Sequence, residues 1–315
     1  MKKVFIKTAL LFFLIIFSIA SIIFLVSPLV RNSNDYVAAT IDKENRLHSL
    51  TSPKIIFVGG SNLAFGINSK TIGEQFHYPV VNMSLHGGLG LSYMLNEALD
   101  GIYKSDVVFI STEYYLDKPE IKLLTQLIDA NPNAKKYIKI KTEDIVSFYL
   151  NDLQRCVTSS VKELGKSFSD NIYIRNGFTA EGDLISHLNK KNVQIDPPKL
   201  KEIDYTNDLL LLNAFIDSVK KREAKVYFLF PTYQQTAFNL NKKAVLDFSS
   251  LLNKNLKCSI INTPYTFVYN DSLFFNSEYH LNKGGRVLRT QKLIEILGKE
   301  VFKKVPKQKN YLVKH

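Results

Sequence analysis

The first thirty residues and the rest of the chain are patterned differently. Thr8 to Val30 (TALLFFLIIFSIASIIFLVSPLV) carries no charge and no polar stripe. At about 1.5 Å rise per residue, a helix of that length covers the roughly 30 Å hydrocarbon layer of a bilayer. From residue 51 onward short apolar runs alternate with stretches of helical spacing. The strand-like runs are Lys54 to Val58, Tyr78 to Met83, Asp106 to Ser111, Lys225 to Phe230 and Cys258 to Asn262. Helices are expected up to about Phe76, over Leu89 to Tyr103, Asn207 to Arg222, Lys242 to Leu252 and Lys283 to Leu297. After Lys54 the run IIFV is apolar at every position, which marks a strand buried on both faces, and strands that alternate with helices imply βαβ crossovers. The expected fold is α/β, a flavodoxin-like three-layer sandwich on a five-stranded parallel sheet, with one N-terminal transmembrane helix.

This pattern divides the chain into a cytoplasmic N-terminus (1–7), a transmembrane anchor (8–30), a polar spacer (31–50), the α/β domain (51–300) and a basic tail (301–315). Residues 114–205 break the alternation and read as an insertion, partly helical, that covers the site. Lys2, Lys3 and Lys7 precede the apolar run. The positive-inside bias then keeps the N-terminus in the cytoplasm and puts the domain on the periplasmic or extracellular side. A cleaved signal peptide is the alternative, disfavoured by the length of the run and the lack of a small-x-small cleavage site.

Composition alters this picture little. The net charge of +12 comes from scattered basic residues, with no basic helix interleaved with aromatics and no zinc-finger spacing, so a nucleic-acid partner is not expected. Cys156 and Cys258 are the only cysteines. They lie in no metal-ligand spacing, and Cys258 reads as a small buried hydrophobe, although a disulfide is chemically permitted outside the cytoplasm. Asp183 and His187 are four apart and would share a helix face, which is too little for a metal site. His77 and His86 read as turn or surface residues. No cofactor and no metal are implied.

In open parallel sheets ligands sit at the carboxyl ends of the strands. Three segments converge there: Gly59-Gly60-Ser61-Asn62, Asn82 to Gly90, and Asn276 to Gly285. Ser61, at a strand-to-helix turn, would present its hydroxyl at that edge beside the amides of a helix entrance, and His280, before the last helix, would be the base that activates it. Gly87, Gly88, Asn62, Asn82 and Glu113 are the further candidates for holding an oxyanion or substrate.

IIFVGGSNLAFGI, VVNMSLHGGLGL and NSEYHLNKGG resemble the first, glycine and terminal histidine blocks of the SGNH (GDSL-type) hydrolases. The resemblance spans residues 54–298 apart from the insertion. It implies a serine nucleophile at Ser61, a histidine base at His280, and oxyanion donors from the backbone of Ser61 and of Gly87 or Gly88. The sequence departs from the family's pattern in three places. Gly60 stands where the family often has Asp, Glu113 stands where it offers an asparagine, and Ser277 occupies the place of the acid before the histidine, with Glu278 as the carboxylate nearest to the imidazole. The implied activity is ester hydrolysis or O-acyl transfer on an acylated carbohydrate of the cell envelope, with a membrane protein as a conceivable acyl donor. The alternative is a non-catalytic domain of the same fold that binds an envelope glycan or protein.

Overall fold

The structure, a computed structural model, describes residues 2–31, 35–114, 119–139, 144–154, 172–201 and 203–303. Helix α1 (Lys2–Arg31) contains a stretch, Lys2–Ile22, that is long and apolar enough to cross a membrane and is not buried in the protein. It is followed by α2 (Ala39–Ser49), β1 (Ile55–Gly59), α3 (Ser61–Gly66), α4 (Ser69–Phe76), β2 (Val80–Asn82), α5 (Leu91–Leu99), β3 (Val107–Ser111) and α6 (Ile121–Ala130). A helix α7 follows over 145–154. Then come α8 (Thr206–Lys221), β4 (Lys225–Phe228), β5 (Tyr233–Gln234), α9 (Gln235–Asn255), β6 (Ser259–Ile260), β7 (Val268–Tyr269) and α10 (Lys283–Leu297).

Five strands form one parallel sheet in the order β2-β1-β3-β4-β6, and β5 and β7 pair separately. Strand alternation sends Ile56, Val58, Val108, Ile110, Val226 and Phe228 into one apolar cluster, and Ile55, Phe57, Val107 and Phe109 into the other. Both faces of the sheet are therefore covered, which explains the uninterrupted apolar runs. At the amino edge of the sheet Lys54 and Asp106 form an ion pair of 3.2 Å with neither side chain exposed.

Residues 35–49 are part of the domain, which corrects their reading as a spacer. Tyr36, Val37, Ala38, Ala39 and Leu47 lie in the core, and α2 runs beside β2, the edge strand. An open strand edge needs hydrogen-bond partners. Arg46 Nε donates to the Val80 carbonyl at 2.7 Å and Lys43 Nζ to that of Asn82 at 2.7 Å. Burial pulls the Lys43 ammonium down to about 7, against the favourable pull of Asp183, Glu97 and Asp42.

Within the β3–β4 connection, residues 172–201 pack over the carboxyl edge of the sheet. Leu184 N bonds the Ala64 carbonyl at 2.8 Å, and His187 Nε2 the Leu281 carbonyl at 2.9 Å. Asp183, fully buried, accepts from Ser69 N (2.7 Å), Ser69 Oγ (2.6 Å), Asn82 Nδ2 (2.9 Å) and an Arg286 amino group (3.0 Å). Asp183 and His187 do not lie on a helix and serve different partners, so their spacing gives no shared face. Cys258 is half-buried and unbridged among the described residues, its thiol pushed up to about 12 by burial, while Cys156 lies outside them.

Candidate functional site

β1 runs straight into Gly60, the N-cap of α3, and Ser61 is the first residue of that helix, half-buried at the carboxyl edge of the sheet. Gly60 has no side chain to cap the helix. The missing cap comes from Glu113, two residues beyond the end of β3, whose Oε1 accepts the Asn62 amide at 2.9 Å and Asn62 Nδ2 at 3.1 Å. A Cβ at position 60 would overlap both carboxyl oxygens of Glu113, and one at Gly87 would lie 3.6 Å from Oε2. Gly60 and Glu113 therefore form one device: the glycine leaves the space that the carboxyl fills. The Glu113 carboxyl is held above the usual carboxylate range by burial, opposed by the amides of Asn62, its own amide and His86.

Asn62 is saturated by the fold. Its Nδ2 also donates to the Ser111 carbonyl at 3.1 Å, and its Oδ1 accepts from Ser111 Oγ at 3.1 Å and from Arg289 at 3.0 Å. No side-chain donor or acceptor is left for a ligand. Asn82 is likewise turned inward, donating to Leu63 O at 3.2 Å and to Asp183, and accepting from Ser84 N at 3.1 Å. These two residues build the edge rather than line it. Of the glycine pair, Gly88 donates its amide to His86 Nδ1 at 3.0 Å, which leaves Gly87, half-buried beside Glu113, as the candidate amide donor.

His280 precedes α10 on the opposite side of the site. Its Nδ1 lies 2.9 Å from Asn276 Oδ1, and Asn276 Nδ2 donates to the Tyr173 hydroxyl at 2.9 Å. With the amide's donor on Tyr173, its oxygen faces the ring. Nδ1 therefore carries the hydrogen and Nε2 the lone pair, the tautomer a general base needs. The ring stacks on Phe65 of α3, centroids 3.9 Å apart and nearly parallel. Burial, with smaller contributions from His187 and His86, pulls the imidazole down to about 3, so it is neutral near pH 7.

No protein-family model matches the chain, and no curated protein matches it.

The geometry thus brings Ser61, Gly87, Glu113 and His280 to one edge, with no hydrogen bond between Ser61 and His280 among the described residues. Glu278 is not the imidazole's partner: it accepts from Ser277 Oγ at 3.1 Å, and its carbonyl accepts from Gln234 N at 3.0 Å. Asn276 does that work, a residue that the sequence offered only as the start of the segment before the last helix. Sequence reasoning also missed Tyr173, Phe65 and Arg289, and it weighed Asp183 only as a metal ligand. Among the described residues no cluster of histidine, cysteine and acidic side chains is arranged to hold a metal.

Proposed function

We propose that this chain is a serine-dependent esterase or O-acyltransferase of the SGNH kind, tethered by α1 to a membrane and acting on acylated carbohydrate outside the cytoplasm. The observation that carries the reading is the orientation of His280. Its Nδ1 is held by Asn276, its Nε2 is free to accept a proton, and its ring stacks on Phe65 of the helix that Ser61 opens at the end of β1. The strand order and the two covered faces support a flavodoxin-like sandwich, in which ligands collect at this edge.

In this mechanism Ser61 Oγ attacks the ester carbonyl while His280 Nε2 takes its proton. The same imidazole then protonates the departing alcohol, and water or a sugar hydroxyl receives the acyl group in the second half-reaction. Asn276 fixes the tautomer, as asparagine does in cysteine–histidine–asparagine sites, but being neutral it gives the imidazolium no charge stabilisation.

A second reading, a non-catalytic domain that binds an envelope glycan or protein, is favoured by one observation: Ser61 and His280 are not hydrogen-bonded. Fluorophosphonate labelling of the full-length chain in detergent separates the two. The esterase reading expects an adduct on Ser61, mapped by mass spectrometry, that is lost in Ser61→Ala and His280→Ala. A folded chain that takes no label at Ser61 refutes it in favour of the binding domain.

A further inference from the structure

Resting on the esterase reading, we propose that Glu113 is a catalytic residue that acts as a neutral carboxylic acid, its Oε2 hydroxyl donating a hydrogen bond to the oxyanion formed when Ser61 attacks an ester.

The two oxygens of this carboxyl have different surroundings. Oε1 accepts two N–H groups from Asn62 and so occupies the place of a carbonyl oxygen. Oε2 receives no donor from any other described residue, and it lies between Gly60 and Gly87, next to the residue that opens α3. Glu113 is 2% exposed. An ionised carboxylate there would keep half of its charge on an oxygen that takes no donor from the protein, in a side chain almost wholly withdrawn from water, which is costly. A proton on Oε2 removes that cost and creates a donor aimed into the site.

The surrounding groups are consistent with a neutral acid. Facing it are His86 from the loop before α5, Tyr36 from the segment after α1, and Arg289 from α10. Arg289 does not touch the carboxyl: its amino groups are directed at the backbone and side-chain oxygens of Asn62, which stands between them. Burial is the largest influence on Glu113 and raises its affinity for the proton. An apolar site that keeps a carboxylic acid neutral so that it can donate to an oxyanion has a precedent in isomerase chemistry.

During attack the bond from Ser61 Oγ to the carbonyl carbon forms, the carbonyl π pair moves onto oxygen, and the serine proton goes to His280 Nε2. The oxyanion is then held by the Glu113 hydroxyl and the Gly87 amide. When the carbonyl re-forms, the ester's C–O bond breaks and the alcohol leaves with the proton from His280. Glu113 keeps its own proton throughout.

The same device accounts for two departures from the SGNH pattern at once. Glycine at 60 makes room for a longer side chain at 113, and the longer side chain restores a donor where the pattern has an asparagine.

The test uses the full-length chain in detergent, with E113Q, which keeps both Oε1 and a donor, and E113A, which keeps neither. Infrared difference spectra between wild type and E113Q at neutral pH should show a protonated carboxyl band that belongs to Glu113; the comparison cancels the other buried acids, among them Glu97, raised to about 8. With a p-nitrophenyl ester as probe, E113A should lose about 10²–10³-fold in kcat/KM. E113Q should stay within about tenfold and lose the fall in rate at alkaline pH that wild type shows. The role is overturned if Glu113 is ionised at neutral pH, if E113A labels at Ser61 and hydrolyses ester as fast as wild type, or if E113Q keeps the alkaline fall. A folded wild type that neither labels nor hydrolyses overturns the esterase reading and this role together.

Discussion

Replacing Asp183 with alanine removes the buried anion that joins the β3–β4 connection to the sheet edge. Four hydrogen bonds converge on it, two from Ser69, one from Asn82 and one from Arg286, whose side chain is 10% exposed. Hydrogen bonds to a charged group contribute about 1.5–3 kcal/mol each and do not add. Removing one partner of a buried ion pair costs about 3–5 kcal/mol, because the other charge stays buried and unpaired. Arg286 would retain only its 2.6 Å bond from Nε to the Ile67 carbonyl among the contacts described here. Asp183→Ala should therefore lower the unfolding free energy by about 3–5 kcal/mol, a large share of the roughly 5–15 kcal/mol usual for a domain. The chain has no tryptophan, so urea unfolding of the full-length protein in detergent is followed by far-UV circular dichroism. Arg286→Met should cost much less in the Asp183→Ala background than in wild type, since the two side chains share one interaction. A loss below about 1 kcal/mol, or independent addition of the two substitutions, would refute the reasoning.

Three further outcomes follow from the site. Gly60→Ala forces a methyl into the Glu113 carboxyl and should cost about 1–3 kcal/mol; adding Glu113→Ala should recover part of it, and equal losses in the single and double variants would deny the coupling. Asn276→Asp places a charge 2.9 Å from His280 Nδ1, which raises the imidazole from about 3 and should move an acid limb into the accessible pH–rate profile of Ser61 labelling; an unchanged profile counts against Asn276 as the partner. His187, held at about 4 by burial, has its Nε2 on the Leu281 carbonyl and no partner at Nδ1 among the described residues. Its folded value lies below the unfolded 6.5 or so, so its stabilising contribution is complete above about pH 6.5 and is lost as pH falls towards 4, on the order of 3 kcal/mol in all. His187→Gln should lose less stability than wild type between pH 7 and 4.5 in urea melts, and parallel losses would remove His187 from the account.

The sheet was legible because its physics is written in consecutive residues. Strands buried on both faces are apolar along their length, and IIFV, VVFI and VYFLF satisfy this. The last helix, with Asn282 capping it through Gly285 N, starts and ends where its spacing predicts, at Lys283 and Leu297. Edges were harder. The expected strand Cys258 to Asn262 shortens to Ser259–Ile260 at the sheet margin, and Asn262 instead accepts the Phe230 amide through its side chain. Residues 35–49 were misread because the face they bury includes Thr40, Lys43 and Glu44, which look solvated in a sequence and are paid for here by bonds to residues far along the chain. The local contexts of Ser61, first in a helix after β1, and His280, before the last helix, were legible, whereas the contacts around them, Asn276 with Tyr173 and Gly60 with Glu113, join segments that no local pattern connects.

The N-terminal segment also ties the anchor to the site. Only three residues separate Arg31, the end of α1, from Asp35, a reach of about 10 Å when fully extended. From Asp35 on, the chain is bound to the elements around the candidate site. The Asp35 carboxylate takes Gln126 of α6, Asp42 pairs with Arg175, Lys43 holds the carbonyls of Asn82 and Gly182, and Tyr36 packs on Tyr173, the residue that orients Asn276. A bilayer that holds α1 therefore keeps the domain close to its surface. The covalent path from anchor to imidazole is long, but the packed path is short: Tyr36, Tyr173, Asn276, His280. A substrate attached to the same membrane would need no free diffusion to reach this edge, and a substitution at Tyr36 would be felt at the base without touching it.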